Sequence, residues 1–97
     1  MTKLQILKSD NPKKKYKAVF TKKDDGKTKT IHFGSSMHQD FTQHKNLERR
    51  RLYRQRHEKD LKGDPMRAGY LSYYILWVDS TNLQANIRSF KNKFGFT

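Results

Sequence analysis

Apolar and polar positions alternate three times in the first third of the chain. Lys3-Leu4-Gln5-Ile6-Leu7 alternates briefly and predicts a short strand over 3–7. Asn11-Pro12 marks a turn. Tyr16, Ala18 and Phe20 then alternate with Lys15, Lys17 and Val19, the pattern of a half-buried strand. Asp25-Gly26 is a hairpin signal, because glycine accepts positive φ there without a steric cost. Thr28 to Phe33 alternates again and ends at Gly34. Residues 1–34 therefore predict a three-stranded antiparallel meander.

From residue 35 onward the pattern is helical. Asn46 is the predicted N-cap of a helix over 47–61, with Glu48–Arg51 and Glu58–Lys62 at pairing distance along it. Gly63 ends that helix as a left-handed residue, and Asp64-Pro65 opens another that runs to about Trp77. Thr81-Asn82-Leu83-Gln84 has the form of a capping box. Leu83, Ile87, Phe90 and Phe94 follow at spacings of four, three and four, the cleanest amphipathic stripe in the chain. That last helix is expected to anchor the core. The fold class expected is α+β: a three-stranded antiparallel meander over 1–34, then about three helices over 35–97, in one small basic domain.

Composition changes this picture little, but charge changes it a great deal. Only 33% of residues are hydrophobic, although the 12% that are aromatic each bury a large area. There is no cysteine, so neither disulfide nor thiolate chemistry is available. No secretory apolar region opens the sequence, and no apolar run approaches the ~20 residues that span a bilayer. The expectation is a protein inside a cell or a virus particle, with no transmembrane segment. The formal net charge is +13 on 97 residues. Residues 1–34 hold ten lysines against three aspartates, and residues 41–63 hold eight Lys/Arg against three acids. Such a surface repels itself unless a polyanion or an acidic surface compensates it.

The residues offer little to an enzyme. The histidines at 32, 38, 44 and 57 show no metal-ligand spacing on one helix face. The acids form no evident catalytic dyad, and no phosphate loop, nucleotide fingerprint or nucleophile elbow is present. No enzyme, cofactor, metal or small-molecule substrate is expected. The basic segments carry the candidate chemistry: Lys13, Lys14 and Lys15 beside a turn, then Lys45, Arg50, Arg51 and Arg54 on or next to a helix. Lysine offers a point charge to phosphate, and arginine a bidentate fork. At 100° per residue, Arg49, Leu52, Tyr53 and Arg56 share one side. That side is assigned to the core, with Arg50, Arg51 and Arg54 facing outward as ligand residues. Tyr70, Tyr73, Tyr74 and Trp77 lie at helical spacing beside Leu71, Ile75 and Leu76 and read as core rather than as base-stacking platforms. Gly69 is expected to admit a closely approaching element, and Phe94 and Phe96 to close the core or meet a partner.

One series of motifs carries a family resemblance. It comprises Asn11-Pro12-Lys13-Lys14-Lys15-Tyr16, Ile31-His32-Phe33-Gly34, Phe41-Thr42-Gln43-His44-Lys45 and Glu48-Arg49. It continues with Tyr53-Arg54-Gln55-Arg56-His57, Asp64-Pro65, Ala68-Gly69-Tyr70 and Ile75-Leu76-Trp77. In order and spacing the series resembles short basic proteins of large nucleocytoplasmic DNA viruses, notably those of algae. It covers roughly residues 3–94, departing at Ser35-Ser36-Met37 and at Val78-Asp79-Ser80. The resemblance implies a viral setting and a virion component, and names no catalytic residue. The functional expectation is a non-enzymatic minor capsid or virion protein whose Lys/Arg faces contact genome DNA or acidic capsid proteins. The alternative is a sequence-independent nucleic-acid-binding protein acting in the cytoplasm or nucleus of the infected cell.

Overall fold

The computed structural model describes residues 2–97. Three strands, β1 (Thr2–Lys8), β2 (Lys14–Lys22) and β3 (Thr28–Ser35), form an antiparallel sheet in the order β1-β2-β3. The register pairs Leu4 with Phe20, Ile6 with Ala18, Ala18 with Ile31 and Tyr16 with Phe33. Because side chains alternate with period two, this pairing puts Leu4, Ala18, Phe20 and Phe33, all buried, on one face. Asn11 accepts from the Lys13 amide in the first turn. Gly26, at φ 70°, closes the second, with its amide donating to the Lys22 carbonyl at 2.8 Å.

Four α-helices follow: α1 (Phe41–His44), α2 (Leu47–His57), α3 (Ala68–Leu71) and α4 (Leu83–Phe94). The α+β meander-then-helices architecture is as the alternation indicates. The helix boundaries differ in four places, each for a local reason. The helix expected over 47–61 holds its α geometry only to His57 and tightens into a 3-10 turn over Glu58–Asp60. His57 Nδ1 bonds Asp60 Oδ2 at 3.0 Å there, and Glu58 makes no ion pair with Lys62 among the described residues. Asp64-Pro65 does not open a helix. The Asp64 carboxylate accepts from the Met66 amide, a local turn bond that competes with helix, and α3 begins only at Ala68. The cap of α4 is Asn82 rather than Thr81, and it accepts from the Ala85 amide at 3.0 Å. Asp40 and Gln43 form an unexpected capping box on α1.

α3 continues without a break into a π-helical segment, Ser72–Leu76. Its wider turn buries Ser72, Tyr73, Ile75 and Leu76 together. Leu76 reaches the end of β3, where a Cβ on Gly34 would sit 2.9 Å from Leu76 Cδ1. With φ at 78°, that position requires glycine on both steric and backbone grounds. Gly69 has no such role, since its Cβ would meet only Asp60 at an ordinary 3.7 Å. Buried Asn86 ties α4 to the end of the π segment, donating to the Ile75 carbonyl at 2.8 Å and the Ser80 carbonyl at 2.9 Å.

The core lies between sheet and helices and gathers Leu4, Ala18, Phe20, Phe33, Phe41, Leu71, Ile75, Leu76, Trp77, Ile87 and Phe90. Phe94 and Phe96 close it, with Phe96 5.1 Å from the Phe20 ring and 6.0 Å from Phe90. The C-terminal residues run along β1, Thr97 accepting from the Leu4 amide and donating to the Thr2 carbonyl.

Phe90 is 1% exposed and touches the rings of Tyr74, Phe94 and Phe96. Phe90→Ala is therefore expected to cost on the order of 3–5 kcal/mol. Thermal and urea denaturation check this; a variant melting within about two degrees of the parent contradicts the packing.

A candidate anion-binding cleft

α2 contains no buried residue. It meets the core through Tyr53, Arg50 and Arg54 and forms one wall of a cleft of ≈ 570 Å³, faced by the start of β2, the end of β3 and the α3–π segment. Arg49, Leu52, Tyr53 and Arg56 share a side of α2, as the spacing indicates; of that side only Tyr53 packs against the core, while Arg49, Leu52 and Arg56 are exposed and line the cleft. Tyr53 stacks on Trp77 with centroids 4.1 Å apart and an interplanar angle of 7°, and His57 stacks on its other side at 4.1 Å. These three rings make a stiff wall. Burial is the main cause of the raised Tyr53 hydroxyl pKa, so the group stays neutral at physiological pH.

The base of the cleft is an ion pair. Lys15 Nζ donates to Asp40 Oδ2 at 2.7 Å, with side chains 14% and 3% exposed. Gln43 Oε1 receives both the Lys15 ammonium and the Asp40 amide. The second Asp40 oxygen accepts from the Thr42 amide at 2.9 Å and from the Thr42 hydroxyl. Both charges are thus hydrogen-bonded as well as paired, which a buried pair requires.

This geometry redistributes the sequence-predicted site residues. Lys13 and Lys14 are exposed, and Lys14 lines the cleft. Lys15 is committed to Asp40 and is not a free ligand. Arg50 and Arg54, expected to face outward, turn onto aromatic rings. The Arg50 guanidinium lies 5.5 Å from the Phe41 centroid and that of Arg54 4.1 Å from Tyr73. Arg54 Nη1 also donates to the Trp77 carbonyl at 3.0 Å, where a cation suits a helix C-terminus. Arg51 is exposed and forks onto Glu48 at 2.6 and 3.1 Å, which holds the Glu48 carboxyl below its usual pKa. Lys45 is exposed at the α1–α2 junction, in a left-handed conformation at φ 56°. Arg49 and Arg56, assigned to the core by sequence, are exposed and line the cleft. Neither they nor Lys14 has an ion-pair partner among the described residues. The contact stripe of α2 runs through Arg50, Tyr53, Arg54 and His57, sharing Tyr53 with the stripe that polarity suggests but otherwise lying about one position off it.

A Ser–His–Asp grouping lies elsewhere, near the first turn. Ser9 Oγ is 2.7 Å from His32 Nδ1, and Asp10 Oδ1 is 3.9 Å from His32 Nε2. The Ser9 oxygen also accepts the Asn11 amide at 3.0 Å, and Asp10 is 78% exposed. These are turn contacts around a solvated carboxylate, not a nucleophile held by a fixed base. No cluster of three His, Asp or Glu arranged to hold a metal occurs among the described residues.

The molecule is thus a small α+β protein with a basic and aromatic cleft between α2, the sheet and the α3–π segment. Residues 4–57 match a family described as a family of unknown function (DUF5754), and as the match covers more than half of the chain, the protein belongs to that family. No curated protein and no solved structure matches it. Among the described residues, no helix is long and apolar enough to cross a membrane.

Two expected outcomes follow from the base of the cleft. Asp40→Asn keeps the cap but strands the Lys15 ammonium, and should cost about 3–5 kcal/mol. Adding Lys15→Met should recover part of the loss; denaturant midpoints of both variants check this. The second concerns His44. Its Nδ1 accepts the Asn46 amide at 2.9 Å, so the ring proton sits on Nε2, a buried atom without a hydrogen-bond partner. Desolvation first, then the Arg49 charge, lower its pKa below 6.5. The unfolded chain therefore takes up this proton before the folded one. The His44 contribution to stability is complete above about pH 6.5 and falls as pH drops toward the folded pKa. Denaturation at several pH values should show His44→Gln losing that part of the acid sensitivity.

Proposed function

We propose that this protein is a small non-enzymatic basic protein that binds the phosphate backbone of nucleic acid, as a structural component of a large double-stranded DNA virus particle. One observation carries the binding reading. Lys14 on β2 and Arg49 and Arg56 on α2 converge on one cleft without a carboxylate partner among the described residues, while the cleft's own carboxylate, Asp40, is spent on Lys15. A protein carrying +13 that leaves its converging cations uncompensated is arranged to receive an anion. Lys13 adjoins Lys14, and exposed Lys45 immediately precedes the Asn46 cap of α2, so further basic residues flank the strand and helix that line the cleft.

Lysine and arginine contacts to phosphate carry no sequence information, so binding is sequence-independent and salt-sensitive. The virion setting rests on the resemblance of the motif series between Asn11 and Trp77. In such a particle the protein neutralises genome charge rather than reading sequence.

A salt titration of duplex DNA binding tests this. Replacing Lys14, Arg49 and Arg56 together with alanine should flatten the slope of log K against log[salt] by about two to three units, with the circular dichroism spectrum unchanged. Replacing Arg50 and Arg54 should instead lower stability, because both lie on aromatic rings. Duplexes of unrelated sequence should bind equally well. Absence of DNA binding at low salt overturns the proposal and leaves acidic protein surfaces as the partner.

A further inference from the structure

The concavity of the cleft and its apolar wall are not needed to hold a duplex backbone. Phosphates on the outside of a double helix can be met by cations on any convex surface. Here Lys14, Arg49 and Arg56 instead border a recess of ≈ 570 Å³ whose wall includes Leu52, Tyr53 and Trp77. That volume is in the range of pockets that enclose small organic ligands. Leu52 is 43% exposed, an apolar side chain left open to the recess. An occupant matching this lining has an anionic end for the rim and a flat, largely apolar body for the wall.

We propose that the cleft holds one unpaired nucleotide, its phosphate against Lys14, Arg49 and Arg56 and its base against the wall formed by Leu52 and the Trp77–Tyr53–His57 stack. This rests on the polyanion reading of the same site and adds a ligand class to it. Tyr53 is stacked between Trp77 and His57, so its faces are taken, and one face of Trp77 is taken by Tyr53. The base therefore packs along the edges of a rigid stack, beside Leu52, instead of intercalating into it. His57 lines the recess, and with its Nδ1 bonded to Asp60 its Nε2 is the ring nitrogen left to meet a base edge. A base inside a duplex is paired and stacked and cannot reach such a recess, so the protein engages single strands differently from duplex.

The protein supplies its own reporter. Trp77 is the single tryptophan, and it lines the cleft. The experiment is a fluorescence titration of the full chain with adenosine 5′-monophosphate, inorganic phosphate, a short single strand and the duplex of the same sequence. Duplex binding is read independently by anisotropy of labelled DNA. Adenosine monophosphate and the single strand should change Trp77 emission saturably, with adenosine monophosphate binding about tenfold or more tighter than inorganic phosphate. Ala68→Phe, at an exposed position of the cleft, should fill the recess and weaken adenosine monophosphate at least about tenfold while weakening phosphate less. Should that variant not fold, Leu52→Glu at an exposed position of α2 tests the same wall by placing a negative charge in it. Equal affinities for phosphate and nucleotide, or unchanged nucleotide binding in the filled cleft, overturn the inference. Duplex binding by anisotropy without any nucleotide response also overturns it while leaving the backbone-binding function standing. Failure of every ligand removes both.

Discussion

Asp40 is where the two halves of this protein are joined. Its side chain is almost completely withdrawn from water, and its carboxylate is held there by Lys15 of the sheet at 2.7 Å on one oxygen and by the Thr42 amide and hydroxyl on the other. The same carboxylate starts α1 by accepting the Thr42 amide. One group therefore fixes the direction in which the chain leaves the sheet and ties the first helix back to β2. α1 in turn delivers α2, whose position sets the width of the cleft. Replacing both charges with apolar side chains of similar volume need not cost stability. What the ion pair supplies is a direct link between the sheet and the cap of α1.

The consequence for function is a separation of charge into two groups. Lys15, Arg50, Arg51 and Arg54 are occupied within the molecule, by a carboxylate, a ring face, Glu48, and a ring face with a helix-end carbonyl. Lys14, Arg49 and Arg56 have no ion-pair partner among the described residues, and they line one recess. On the proposed reading, net charge favours a polyanion as partner, and this division separates the cleft cations from those occupied within the molecule.

The sheet was legible because its signals are local. Alternation from Tyr16 to Phe20, the glycine at 26 and the end at Gly34 follow from backbone sterics and period two, and the register then leaves little freedom. The stripe Leu83-Ile87-Phe90-Phe94 was legible for the same reason at period 3.6. The α2 region was not. Its residues are so uniformly polar that no stripe marks a buried side, and the true contact is made by arginine over aromatic rings, which a hydrophobic pattern scores as exposed. Grouping Arg49 with Arg56 needed only helical geometry; deciding that this side borders a recess needed the position of Trp77, twenty-one or more residues away. Asp40 could have been recognised from the Asp-x-x-Gln spacing that forms a capping box, although its pairing with Lys15 depends on tertiary contact. Asp64-Pro65 shows the reverse error, a strong local start signal used for a turn instead.

The central claim is that the uncompensated cations of the cleft, rather than basic residues at large, receive the anion. Amide chemical shifts of isotope-labelled protein, followed as a short nucleic acid is added at low salt and then displaced at high salt, test it most directly. The account predicts the largest shifts at Lys14, Arg49, Arg56 and their neighbours along α2, with little change at Lys3, Lys8 or Lys29. Shifts spread evenly over all lysines and arginines, or concentrated away from the cleft, would contradict it.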